Sequence, residues 1–382
     1  MIPLFKVKMN DSVPDALKET LLSGTITEGP KVELFENKLR EIFRYEHLIT
    51  VNSATSALTL AIRMIKDEIL ATEECEVLTS PLTCMATNEP ILANNLHIKW
   101  VDVDPLTCNI DLLDLEKKIS RTTKILIFVH WGGSPLDLDK LEELLDRKEK
   151  EFGYRIKVIQ DCAHAFLAEW SSHKLGTQYG HYAVYSFQAI KHLTTGDGGA
   201  LLCPTKEKMD EAKLLRWFGI DRNKRNYNRI DLRLENDVVK WGYKFHMNDI
   251  NATIGIQNIE TVDKLVGKHR TNAAYYNVHL KNIRGLKLLD NDAKGVSSYW
   301  IYTLLIEKRD EFIKFMSEKK ITVSCVHKRN DKHTCFNRYK TELLQLDNIE
   351  KEYVCIPVGW WLEEHDLEYI VRCIREFSNL FL

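Results

Sequence analysis

The chain has 382 residues, 44% hydrophobic and 28% charged, with a formal net charge of −2. That length suits one large and one smaller domain, and the composition is that of a globular enzyme. The near-neutral balance excludes nucleic-acid or membrane-surface binding driven by bulk charge. The nine cysteines include no CxxC and no paired spacing, which predicts a reducing, cytoplasmic setting. Met1–Ser12 lacks a signal-peptide core, and no uncharged apolar run reaches the length of a membrane span.

Ser12-Val13-Pro14 followed by Leu17, Leu21, Leu22 and Gly24 predicts a capped helix with a glycine stop. Val32, Phe35, Leu39 and Phe43 fall on one face of a second helix. Leu48–Val51 reads as a short strand that runs into Asn52–Leu58, where an apolar helix begins. Small hydroxyl residues at such a junction leave the first helix N–H groups open, and the partly positive helix end suits a phosphate. A plain N-cap by Ser53 accounts for the same residues equally well.

Glu76–Ser80, Ile98–Val103, Lys124–Val129 and Ile156–Gln160 read as further strands, each set off from the next by a helical pattern. The alternation predicts an α/β fold with a mainly parallel central sheet flanked by helices. Ligands of such sheets sit beyond the C-terminal strand ends. The fifth strand delivers Asp161-Cys162-Ala163-His164 there. Asp161 can cap a helix or pair with a ligand cation, and Ala163 leaves room for a flat ring.

His181–Ala200, HYAVYSFQAIKHLTTGDGGA, begins and ends as a strand. The loop between carries Lys191 and three glycines in four residues, the mark of a tight turn or a close backbone approach. A lysine held between two strands, with Ser186 just before it, suits Schiff-base chemistry, in which the amine reaches an aldehyde carbon and a hydroxyl holds an anchoring phosphate. An ordinary hairpin with a solvated lysine is the alternative.

Asp221–Lys240, dense in charge and asparagine, reads as a lid, a partner-contacting loop or a solvated excursion. Trp241–Asp249 leads into one long helix, Ile250 to about Leu280. Tyr299–Ile306 and Thr322–Val326 read as strands, and Asp310–Lys319 and Glu364–Ser378 as helices, together a small α+β domain. The expected division is a large domain over 1–250, then a linking helix and small domain over 251–382. Cys325, His327, His333 and Cys335 match no common zinc spacing, so no metal site is expected.

Several stretches together resemble the DegT/StrS family of sugar-nucleotide aminotransferases, fold-type I enzymes of pyridoxal phosphate (PLP). They are Thr27–Pro30, Asn52–Leu58, Asp161–Ala165, Ser186–Lys191 with Thr195–Gly199, and Gly242–Asp249. The resemblance runs from about residue 2 to the C-terminus. It implies that Lys191 bonds PLP covalently and shuttles the proton, and that Asp161 pairs with the ring nitrogen. It implies that Ser53, Ala54, Thr55 and Ser186 seat the phosphate, that Ala163 lies against the ring, and that His164 sits near its 3′-hydroxyl. Two features depart from the family pattern. Cys84 stands where an aromatic residue often covers the ring. Lys244 and His246 stand where an asparagine often reaches the neighbour's phosphate.

The resemblance further implies a homodimer with sites at its interface and L-glutamate as amino donor. The acceptor it suggests is C4 of a dTDP-4-keto-6-deoxyhexose, for glycan biosynthesis, with Arg229, His327 and Arg329 as candidates for holding the nucleotide. A C3 aminotransferase and a GDP-perosamine synthase would use the same catalytic residues. A non-catalytic PLP-binding regulatory protein would need an attached DNA-binding domain, and none is visible in the sequence.

Overall fold

The computed structural model describes residues 1–70, 72, 74–222 and 237–382. Its strands are Leu48–Val51 (β1), Glu76–Thr79 (β2), His97–Trp100 (β3), Thr123–Val129 (β4), Lys157–Asp161 (β5), Glu169–Trp170 (β6), His173–Lys174 (β7), Tyr182–Ser186 (β8), Gly199–Leu202 (β9), Leu286–Leu288 (β10), Gly295–Val296 (β11), Tyr302–Ile306 (β12) and Tyr353–Ile356 (β13). The helices are Val13–Leu22 (α1), Pro30–Phe43 (α2), Ala54–Glu68 (α3), Met85–Ala93 (α4), Leu112–Lys118 (α5), Leu138–Phe152 (α6), Lys206–Leu215 (α7), Asp249–Ile259 (α8), Val262–His279 (α9), Arg309–Glu318 (α10), Leu344–Ile349 (α11) and Glu364–Phe381 (α12).

Seven strands form the main sheet in the order β1-β9-β8-β5-β4-β2-β3. The predicted hairpin supplies its one antiparallel member, β9, which pairs with β8 on one side and β1 on the other. Strand side chains alternate between faces, as the pleat requires. Ile125, Ile127 and Val129 of β4 join one apolar layer with Leu58 and Ile62 of α3. Leu126 and Phe128 join the other with Phe35 of α2 and Leu141 of α6. The sheet is therefore covered on both faces, so its strands read as near-continuous apolar runs. A third cluster gathers Ala273 and Tyr276 of α9, Phe312 of α10, Ile370 and Phe377 of α12, and the sheet β10-β12-β13.

Three expectations change. The single helix over 250–280 is two, α8 and α9, parted at Glu260 and Thr261. The Thr261 hydroxyl and N–H both turn back to the Asn258 carbonyl, which interrupts the i→i−4 ladder. Residues 322–326 are not a strand. They carry one isolated bridge, Ser324 to Cys355, and Val326 has φ 63°, which a β-branched residue adopts only under constraint. Ser12 precedes α1 but does not cap it with its side chain. Its hydroxyl goes instead to Gln257 Oε1 at 2.8 Å.

Candidate active site

A cavity of about 710 Å³ opens beyond the C-terminal ends of β1, β5 and β8. Ser53, Ala54, Thr55, Cys84, Asp161, Ala163, His164, Ser186 and Lys191 all line it, and so does His327. Its size is that of a cofactor or substrate pocket.

Lys191 sits on a loop that the fold pins along its length. The Lys191 N–H bonds the Gln188 carbonyl, and Thr195 N–H the Phe187 carbonyl, each at 2.9 Å. Asn258 and Asn251 of α8 donate to the carbonyls of Thr194 and Thr195 at 2.9 and 2.7 Å. Trp300 donates its indole N–H to the Ile190 carbonyl at 2.9 Å. The half-buried Lys191 amine lies 3.4 Å from the centre of the Trp300 ring. Burial lowers its pKa to about 7, against the opposing pull of Asp161 and Cys84. A free amine near neutral pH is the form that attacks an aldehyde. The solvated-lysine alternative does not describe this residue.

Asp161 ends β5 and is 4% exposed. One oxygen accepts the Ala163 N–H at 3.0 Å and the other the Thr87 hydroxyl at 2.7 Å. It caps no helix. Burial holds its pKa above the ordinary carboxylate value, with Thr87, the Ala163 N–H and the Lys191 charge offsetting only part of the rise. A buried acid held in this way is suited to a cationic ring nitrogen.

Ser53 caps α3, its hydroxyl accepting the Ser56 N–H at 3.1 Å. The same residue lines the cavity with Ala54 and Thr55, so the cap does not close off the helix end. The position of that helix end requires Gly199. A Cβ there would come within 2.6 Å of the Ala54 nitrogen and 2.7 Å of the Ser53 carbonyl carbon.

His164 stacks on Trp300 with ring centres 4.0 Å apart and lies parallel to His327 at 5.7 Å. Burial pushes both pKa values down, His327 to about 4 with Lys191 adding to the effect. Both are neutral near pH 7, so His327 presents the cavity with an N–H rather than a charge. The structure does not bring Arg329 to the cavity. Its guanidinium is held by Asp331, Asp347 and Glu350. Lys244 and His246 lie outside this chain's cavity lining. His246 packs on Trp217 at 4.0 Å, and burial lowers its pKa to about 4. Of the two, the exposed Lys244 is the better cation. Arg229 lies outside the described residues.

Sequence reasoning missed Trp300, Thr83, Thr87 and Phe5, all at or behind the cavity wall. Trp300 reaches Lys191 from 109 positions along the chain, and no local pattern marks it. The adjacent polar pair Thr87-Asn88, set among Met85, Ala86, Pro90, Ile91 and Leu92 in α4, was the one usable signal, since buried polar groups need partners.

The site fits PLP on its own terms. A lysine with a lowered pKa, a buried acid and an open helix N-terminus face one cavity. The buried Nδ1 of His164 lacks a hydrogen-bond partner among the described residues. Fold and site together define a PLP-dependent transaminase. The profile of the DegT/DnrJ/EryC1/StrS aminotransferase family matches residues 8–375, so the chain belongs to that family. The crystal structure of AtS13 from Actinomadura melliaura is similar, with 44% identity, 98% of each chain covered and a TM-score of 0.93. That of the sugar aminotransferase CalS13 from Micromonospora echinospora has 39% identity and a TM-score of 0.94, covering 98% of this chain and 100% of its own. The dTDP-4-amino-4,6-dideoxy-D-glucose transaminase of Shigella dysenteriae is 28% identical over 92% of this chain and 91% of its own. The family's members are sugar-nucleotide aminotransferases.

Proposed function

We propose that this protein transfers an amino group from L-glutamate to C4 of a dTDP-4-keto-6-deoxyhexose, giving a dTDP-4-amino-4,6-dideoxy sugar. The observation that carries the chemistry is the pairing of a low-pKa lysine and a buried acid in one cavity, Lys191 and Asp161. PLP supplies an aldehyde that captures the amino group and a ring that accepts electrons. Lys191 then holds and moves the proton between its Nζ and the substrate carbon. Asp161 offers its negative charge to the ring nitrogen. The α3 N-terminus and Ser186 take the phosphate through N–H and hydroxyl donors. Trp300 and His164 wall the lysine side and exclude water from it. In this reading the exposed Lys244 serves the cofactor phosphate of a second copy, and His327 contributes an N–H to the nucleotide.

The acceptor assignment draws on the Shigella relative, whose 28% identity leaves the nucleotide and the carbon to experiment. PLP-loaded protein is mixed with L-glutamate, and the loss of its yellow absorption is followed. Keto-sugar nucleotides are then added singly. Recovery of the colour with dTDP-4-keto-6-deoxyglucose, and a 4-amino product by mass spectrometry and NMR, supports the reading. Recovery only with a GDP- or UDP-linked sugar, or a 3-amino product, overturns it in favour of the corresponding alternative.

A further inference from the structure

Asp161 is held through a chain of hydroxyls whose direction can be read. An ionised carboxylate has no proton to give, so at the 2.7 Å contact Thr87 donates to Asp161. The Thr87 oxygen is then the acceptor in its 2.7 Å contact with Thr83, whose hydroxyl points the same way. Aligned donors of this kind polarise one another. Both threonines are 1% exposed, so water does not readily replace either.

The turn that carries Thr83, and the start of α4 that carries Thr87, are clamped from the far end of the chain. Asn330 donates its backbone N–H to the Pro81 carbonyl at 2.8 Å and its Nδ2 to the Thr83 carbonyl at 2.9 Å. Its Oδ1 accepts from Asn88 Nδ2 at 2.8 Å. Asn330 is fixed in turn because its neighbours Arg329 and Asp331 are joined by two bonds of 2.8 and 2.7 Å. Arg329 therefore serves the site as part of a strut.

We propose that Thr87, oriented by Thr83 and clamped through Asn330, is the positioning residue that keeps Asp161 ionised and aimed at the ring nitrogen of bound PLP. The proposal rests on Asp161 being the acid for that nitrogen. A threonine that only filled the core would be replaceable by the isosteric valine without effect on the ring nitrogen.

The test compares the affinity of the apo-protein for PLP and for 1-deaza-PLP, in which a C–H replaces the ring nitrogen. The ratio of the two dissociation constants isolates the nitrogen. The wild-type protein is expected to prefer PLP by about tenfold or more, the scale of one hydrogen bond to a charged group. Thr87→Val is expected to bring the ratio close to one, as is Asp161→Asn, while Thr87→Ser keeps the wild-type ratio. A merely structural defect weakens both ligands alike and leaves the ratio unchanged. Should Thr87→Val fail to fold, Thr83→Val is measured in the same way and is expected to lower the ratio. If Asp161→Asn collapses the ratio and neither threonine variant alters it, the positioning role is overturned and the acid stands. If Asp161→Asn leaves it unaltered, the assignment of the acid fails and the proposal with it.

Discussion

The Lys191 amine and the Trp300 indole are joined twice. The amine lies 3.4 Å from the ring centre, and the indole N–H returns to the lysine loop at the Ile190 carbonyl. Trp300 is 2% exposed and also stacks on Phe5 at 5.0 Å and His164 at 4.0 Å. One side chain thus sets the face on which the lysine works and the position of its loop. Trp300→Ala is expected to lower stability by about 3–5 kcal/mol, the cost of emptying a buried aromatic site. Trp300→Phe keeps the ring face and loses the N–H, so its cost is expected to be about 1 kcal/mol. Urea unfolding of the apo-protein measures both, and equal losses for the two variants would refute this division.

The lowered pKa of Lys191 has a direct chemical consequence. Below about 7 the amine is protonated and cannot attack, and above that it is free. Its reaction with an amine-directed reagent such as trinitrobenzenesulfonate is therefore expected to rise with pH and level off just above neutrality. Ordinary lysines, with pKa values near 10.4, continue to gain reactivity over the next few pH units. Peptide mapping after brief labelling at pH 7.5 is expected to find Lys191 ahead of the exposed lysines. A half-point near 10 for this site would show that the cavity does not desolvate the amine.

Much of this site was legible because its parts are short-range. The strand-loop-strand around Lys191, the acid at the end of β5 and the hydroxyl-rich start of α3 each occupy a few consecutive residues. Periodicity and turn chemistry speak at that range. What could not be read is what crosses the chain. Thr87 and Asp161 are 74 positions apart and Asn330 and Asn88 are 242 apart, and no period links them. Arg329 was misjudged for a related reason. Its charge suggested a nucleotide, yet an acid two positions on was already its partner. The 250–280 helix was drawn too long because Glu260 and Thr261 carry no glycine or proline to mark a stop.

The proposed seat for the phosphate depends on a glycine for want of space. Gly199 opens β9 opposite Val51, and a Cβ on it would meet backbone atoms of Ser53, Ala54 and Tyr185 at 2.6–2.9 Å. Backbone cannot swing aside as a side-chain tip can, so Gly199→Ala must push the first turn of α3 away from the sheet. The expected result is at least a tenfold loss of PLP affinity, equivalent to about 1.4 kcal/mol, measured by equilibrium dialysis. Gly180, with nothing within 4 Å, provides the control. Its φ of 65° makes Gly180→Asn the tolerable change there, and PLP affinity is expected to stay at the wild-type value.

The strand leading to that seat is fixed by a buried ion pair, and its energetics separate into two parts. Glu36 Oε1 accepts from the Thr50 N–H at 2.8 Å and from Arg216 at 2.7 Å. Arg216 also reaches the Thr50 carbonyl at 2.8 Å and Glu28 at 2.6 Å. Burial by itself raises the Glu36 pKa, but Arg216, the Thr50 N–H and Arg40 together bring it below the ordinary value. A lowered folded-state pKa means that this stabilisation is present above the unfolded carboxylate pKa and is lost as pH falls through the folded one. Unfolding in urea should therefore show a deficit for Glu36→Gln at pH 7 that narrows in acid. Glu36→Leu leaves Arg216 buried and partly uncompensated, for an expected loss of about 3–5 kcal/mol at pH 7. Glu36→Leu combined with Arg216→Met removes both charges and is expected to recover much of that loss, because an apolar pair of similar volume has no desolvation to offset. A double variant no more stable than Glu36→Leu would show instead that the contacts to Thr50 and Glu28, rather than the pair itself, hold β1 in place.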